Sequence, residues 1–167
     1  DDGSSDETRA LALAGCEEMS GWSTEVIANL HAKGKNGAVR TGLDHLGSLV
    51  DVVVLTDADV ITNAEALSAI AAAFCAEPEL GMATGVQRLH GSLPVDPRDL
   101  DGEDAMGLYD HWTRSVRRYE SRKGRLFSVH GQLLAWRADQ GLTPRTPAAD
   151  DLELMLEPRR SHPERTV

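Results

Sequence analysis

The chain has 167 residues, of which 41% are hydrophobic and 4% aromatic, so it can bury one core built mainly from Leu, Val, Ile and Ala. Its formal net charge of −10 argues against a non-specific nucleic-acid binder, which needs a basic face, but admits an anionic ligand where a metal or local basic groups mediate. The longest apolar run, "LVDVVVL", is far short of the ~20 residues that cross a bilayer.

Cys16 and Cys75 are too few for a disulfide framework. Both lie in apolar helical context and read as buried free thiols, which favours a reducing compartment. "DDGSSDET" opens the chain, and Ser4 with Glu7 has the spacing of a capping box. It predicts a helix from Asp6 to Gly15. "STEVIANL" predicts a short strand. In "HAKGKNGAVRTG", Gly34 and Gly37 allow close backbone approach, and Lys33 and Lys35 add charge beside a helix N-terminus. That combination suits a phosphate or nucleotide, or else an ordinary glycine turn in a basic loop. The helix carries Val39, Leu43 and Leu46 on one face.

"DVVVLTDADV" is an almost unbroken β-branched run, as expected of a strand covered on both faces. It delivers Asp57 and Asp59 at its C-terminal end, the edge where open α/β sheets bind ligands. Two carboxylates at this spacing suit a hard divalent cation carried by phosphates, provided the strand has ended and turned. The alternative is a solvated turn.

"TNAEALSAIAAAF" predicts a helix with a second capping box, Thr62 and Glu65, and a buried stripe of Leu67, Ile70, Ala71 and Phe74. "GMATGVQRL" predicts a strand and "GSLPVDPRDLDGED" a loop. A long helix from Ala105 to Lys123 places Leu108, Tyr109, Trp112, Val116 and Tyr119 at helical spacing. Its Arg114, Arg118 and Arg122 share one face, either solvated or in contact with a membrane surface or an anionic lipid-linked acceptor.

"LFSVHGQLLAW" reads as strand, break at Gly131, strand; the glycine is either a bulge or a point of backbone contact with ligand. "AADDLELML" starts a final helix with Asp150 and Asp151. These acids complement the helix dipole or, beside a metal in a cleft, one serves as a general base. Strands thus alternate with helices, which predicts a single α/β domain over residues 1–167 with a mainly parallel sheet, beginning after a strand rather than with one.

Six segments resemble, in order, successive landmarks of the family 2 glycosyltransferases: "DDGSSDET", "KGKNGAVRTGL", "VVVLTDADVITNAEAL", "ELGMATG", "VHGQLLAWR" and "PAADDLELML". These are nucleotide-sugar enzymes with the GT-A fold. The Asp-Ala-Asp motif and the later acidic pair resemble the inverting polysaccharide-synthase branch. The resemblance implies a Rossmann-like sheet flanked by helices and lacking its first strand, so the chain reads as truncated.

It also implies roles. Asp1 and Asp2 line the nucleotide pocket, Lys35 is the basic residue of the glycine loop, and Asp57 lies near the nucleotide. Asp59 holds Mg²⁺ or Mn²⁺ on the diphosphate, with Asp57 beside it. Gly131, Gln132 and Asp150 line the donor-sugar and acceptor site, and Asp151 is the catalytic base. The implied partners are a nucleotide-diphosphate sugar and a saccharide or lipid-linked acceptor. The implied place is the cytoplasm, at the face of a membrane in the full-length protein.

Two alternatives stand beside this reading. One is a non-catalytic sugar-nucleotide-binding remnant. The other is a haloacid-dehalogenase-type phosphatase with Asp57 as covalent nucleophile, although Ile61 stands where that family places Thr or Val.

Overall fold

The computed structural model describes residues 1–86, 108–124, 126, 132–142, 156–157 and 160–167. They fall into two compact units, one over Asp1–Leu49 and one over Val50–Leu142 with the described residues of 151–167.

The first unit holds helices α1 (Thr8–Glu18) and α2 (Lys35–Leu46). The Ser4–Glu7 capping box does not form. The Ser4 amide is drawn to the Asp1 carboxylate at 3.2 Å, and Asp6 instead accepts from the Thr8 amide at 3.0 Å. The helix therefore begins later than expected and runs on through Gly15. No residue of α1 is buried, and Cys16 is half-buried rather than enclosed.

"STEVIANL" is not a regular strand. The Asp1 amino group donates to the Ile27 carbonyl at 2.6 Å and the Asn29 amide donates to the Asp1 carbonyl at 2.8 Å. This is a parallel bridging pattern around a single residue, too short for a ladder. Side chains fasten the segment to α2 instead: His45 meets Glu25 at 2.7 Å, and His31 meets Asp44 at 2.7 Å. Val39, Leu43 and Leu46 are all half-buried, as their shared face predicts.

The second unit is built on a three-stranded sheet of order β1 (Val52–Thr56), β3 (Leu133–Arg137), β2 (Met82–Thr84). The parallel expectation holds for the directions of β1 and β2. It fails for their pairing, because β3 inserts between them and runs antiparallel to both. The register pairs Val54 with Ala135 and Ala83 with Ala135, so one small residue sits at the centre of the sheet.

Met82, Leu134, Ala135 and Trp136 are fully enclosed and form the centre of the core with Val53, Phe74, Leu126, Leu142 and Val167. β1 is covered less evenly than its composition suggests, since Val54 and Thr56 are exposed.

Helix α3 (Ala66–Ala76) starts without the expected Thr62–Glu65 box; the Ala66 amide closes a turn on the Asn63 carbonyl at 3.1 Å. Of its predicted stripe, Phe74 is buried and Ile70 half-buried, but Leu67 and Ala71 face solvent. Cys75 is exposed, not buried. α3 is anchored at its end by Arg137. That guanidinium donates to the carbonyls of Phe74 at 2.8 Å, Glu77 at 3.1 Å and Leu80 at 2.8 Å, and lies over the Phe74 ring. A cation here satisfies carbonyls that the helix leaves unpaired and complements its dipole.

The C-terminal residues close the unit. Thr166 bridges Leu80 in parallel, and the Gly81 amide donates to its carbonyl at 2.9 Å. Arg165 grips Asp139 with two bonds of 2.7 and 2.8 Å, which holds the Asp139 carboxyl below its usual range. His162 lies 3.2 Å from Glu164.

Helix α4 (Leu108–Arg122) lies within the predicted span. The predicted loop "GSLPVDPRDLDGED" and residues 127–130 of the strand half before Gly131 lie outside the described residues. So does the start of the last helix, of which Leu156, Glu157, Arg160 and Ser161 are helical.

Candidate functional site

The acidic motif of the second unit sits where the sheet ends. β1 stops at Thr56, and the Val60 amide closes a turn on the Asp57 carbonyl at 3.3 Å. Ala58 and Asp59 form the tip of that turn, so the strand has ended and turned as a shared site for the two acids requires. Asp57 is half-buried and Asp59 exposed.

The start of β3 meets this edge. The Gln132 carbonyl accepts from the Asp57 amide at 3.3 Å and from the Thr56 hydroxyl at 2.9 Å. β2 ends beside them, where the Leu133 carbonyl accepts from the Gly85 amide at 2.9 Å and the Thr84 hydroxyl at 3.2 Å. A Cβ on Gly85 would lie 3.0 Å from the Leu133 side chain, so the two residues pack closely at this corner.

Gln132, 73 residues beyond Asp59 and 75 beyond Asp57, thus shares one edge with them. Sequence reasoning did not assign Thr56, Thr84 and Gly85 to it. The available signal was their position, each at or just past the last residue of a strand. Gly131, Asp150 and Asp151 lie outside the described residues.

The donor chemistry of this edge fits a hard divalent cation. Asp57 and Asp59 supply carboxylate oxygen, and no cluster of three or more His, Cys, Asp or Glu is assembled among the described residues. Such a pair suits Mg²⁺ or Mn²⁺ that takes its remaining ligands from phosphates and water.

The first unit contains a second constellation, centred on Asp2. One carboxylate oxygen accepts from the Asn29 side chain at 2.6 Å and the other from the Gly34 amide at 2.7 Å. The Asn29 side-chain oxygen accepts from the His31 amide and from the Thr41 hydroxyl, both at 2.9 Å. The buried Thr41 hydroxyl in turn accepts from the Leu30 amide at 2.9 Å and lies 3.0 Å from the Gly37 carbonyl. Asp2 therefore fixes the loop that delivers Gly34 and Lys35 to the start of α2. Asp1 accepts from Ser4 and lies 3.8 Å from Arg9.

Hydrogen bonds from Asn29 and Gly34, reinforced by Lys33, hold the Asp2 carboxyl below its ordinary 3.8. Its stabilisation is complete above 3.8 and drains away as pH falls through the lower folded value. Hydrogen exchange followed across an acid titration is expected to show the Gly34 amide losing protection only below about 3.8. In Asp2→Asn that amide is expected to be less protected at neutral pH and to lack the acid step.

The fold and its edges place the chain among α/β proteins that carry an acidic turn at the carboxyl end of a strand, the usual position for a ligand site in such sheets. The family model described as "Glycosyl transferase family 2" matches residues 1–128 of the 167, and the chain belongs to that family. No curated protein and no solved structure matches it. Membership makes the fold GT-A and the protein a glycosyltransferase of the nucleotide-sugar type. The matched span contains Asp1, Asp2, Lys35, Asp57 and Asp59, and stops short of Gly131, Gln132, Asp150 and Asp151.

Proposed function

We propose that this chain is a single GT-A domain of a metal-dependent inverting glycosyltransferase, moving a sugar from a nucleotide diphosphate to a hydroxyl of a saccharide or lipid-linked acceptor. The observation that carries the reading is the Asp57–Val60 turn at the end of β1, with Gln132 bonded beside it, in a chain of this family.

Asp59, with Asp57 beside it, would hold Mg²⁺ or Mn²⁺ there. When bound, the ion supplies neutralisation of the charge that develops on the leaving diphosphate. Asp57 and Asp1 are assigned to the nucleotide by the family motifs they belong to. Asp2 serves it through the glycine loop, since both of its oxygens are already engaged by Asn29 and Gly34, and Lys35 adds positive charge at the start of α2. Gly131, Gln132 and Asp150 line the sugar and acceptor.

Asp151 accepts the proton of the acceptor hydroxyl as its oxygen bonds to the anomeric carbon from the face opposite the diphosphate. The carbon–phosphate-oxygen bond breaks, and the configuration inverts. The reaction is assigned to the cytoplasm, in keeping with two free cysteines.

Calorimetry on the full-length protein with a panel of nucleotide-diphosphate sugars, with and without Mn²⁺, tests this. Binding of at least one donor that requires Mn²⁺, and that is lost in Asp59→Ala, is expected. Donor binding indifferent to the ion overturns the metal role. No binding of any donor overturns the whole reading. Metal-dependent binding without transfer to any acceptor would favour the non-catalytic remnant.

A further inference from the structure

The sequence places three arginines on one face of α4, but the structure divides them. Arg114 is half-buried, as is Arg117, and both have partners within the protein. Arg118 and Arg122 are exposed. They share the exposed arc with His111, Ser115, Tyr119 and Trp112, and Lys123 continues it just past the helix end.

At 100° per residue these positions span less than half the helix circumference. Trp112 is 64% exposed and Tyr119 66% exposed, and the Lys123 ammonium lies 5.8 Å from the Tyr119 ring centroid. Glu120 falls on the opposite flank and is half-buried. A protein of net charge −10 thus presents one helical face whose described residues include three permanent cations, two large aromatics and no carboxylate.

We propose that this face of α4 docks on an anionic membrane surface. Arg and Lys are drawn to anionic headgroups, while Trp and Tyr prefer the depth at which headgroup meets acyl chain. A helix carrying both lies in the interface plane instead of crossing it. No described helix is long and apolar enough to span a membrane, so the contact is peripheral for these residues. A soluble polyanion would match the cations but would leave Trp112 without an apolar medium. The proposal does not depend on the transfer reaction, because it is read without donor or acceptor.

The test uses the full-length protein with vesicles of phosphatidylcholine alone or in equimolar mixture with phosphatidylglycerol. Co-sedimentation with the mixed vesicles only is expected, weakening as salt is raised. Each cation removed is expected to lower partitioning about fivefold, so Arg118→Gln, Arg122→Gln and Lys123→Gln together lower it about a hundredfold. These exposed substitutions are expected to leave the melting temperature unchanged. Emission from Trp112, isolated by subtracting the Trp112→Ala spectrum, is expected to shift to the blue on the mixed vesicles.

Equal binding to both vesicle types, no binding to either, or full binding by the triple variant overturns the proposal. So does competition by heparin without any Trp112 shift, which would make the face a polyanion site.

Discussion

Asp151→Asn is expected to lower sugar transfer about a thousandfold while leaving the donor dissociation constant within about twofold. A positioned general base contributes on the order of 10² to 10⁴ in rate, and an amide of the same shape cannot take up the proton. Donor affinity is assigned to Asp57, Asp59 and the loop ahead of α2, so it is expected to survive. Single-turnover transfer and calorimetry on the same preparation separate the two quantities. Equal loss of binding and transfer would place Asp151 in the donor site instead of at the acceptor hydroxyl. Undiminished transfer would remove it from the reaction. The comparison is informative because the family match ends at residue 128 and the Asp150–Asp151 assignment rests on the motif alone.

The second large effect is expected from Gly37→Ala. A Cβ at this position would lie inside the Ala32 carbonyl oxygen, 2.9 Å from the Ala32 carbon and 3.0 Å from the Asn29 side-chain nitrogen. Backbone on one side and a fully bonded amide on the other leave little room to yield. Overpacking of a rigid site typically costs about 1–3 kcal/mol, and the upper end is expected here because the same shift disturbs Asn29, Thr41 and Asp2 together. The readout is hydrogen exchange at Gly34 and Leu30, whose amides depend on Asp2 and Thr41. Gly42→Ala is the control, since a Cβ there meets nothing within 4 Å. Similar losses in both variants would show that the close approach to Ala32 does not govern the site, since Ala is the better helix former at both positions.

Local chemistry made the strand and its acidic turn legible. "VVVLT" has few alternatives to an extended, largely covered conformation, and "DAD" follows where such a strand stops. Strand pairing was not legible, because a two-residue period does not name a partner and β3 enters between β1 and β2 through long-range pairing.

The capping boxes were present as spacing, yet neither helix carries a side-chain cap and local turns took their place. Ser4 is held by Asp1, and α3 begins beyond Thr62. Asp2 was legible as an acid near a site, but its partner Asn29 lies 27 residues away and cannot be read from spacing. Arg137 was hidden for the same reason. It looks like the end of a strand in "LLAWR", while its guanidinium closes a helix some 60 residues earlier.

The sheet order carries a consequence for how the protein is made. The central strand is the last of the three in the sequence, so neither Val52–Thr56 nor Met82–Thr84 has its partner until Leu133–Arg137 has been synthesised. At ~5–20 residues per second that leaves "VVVLT" without its ladder for roughly 4–15 s on the ribosome. An unpaired β-branched strand is a template for association with other chains. The nascent polypeptide is therefore most vulnerable between the emergence of β1 and that of β3, and a holding chaperone would act in that interval.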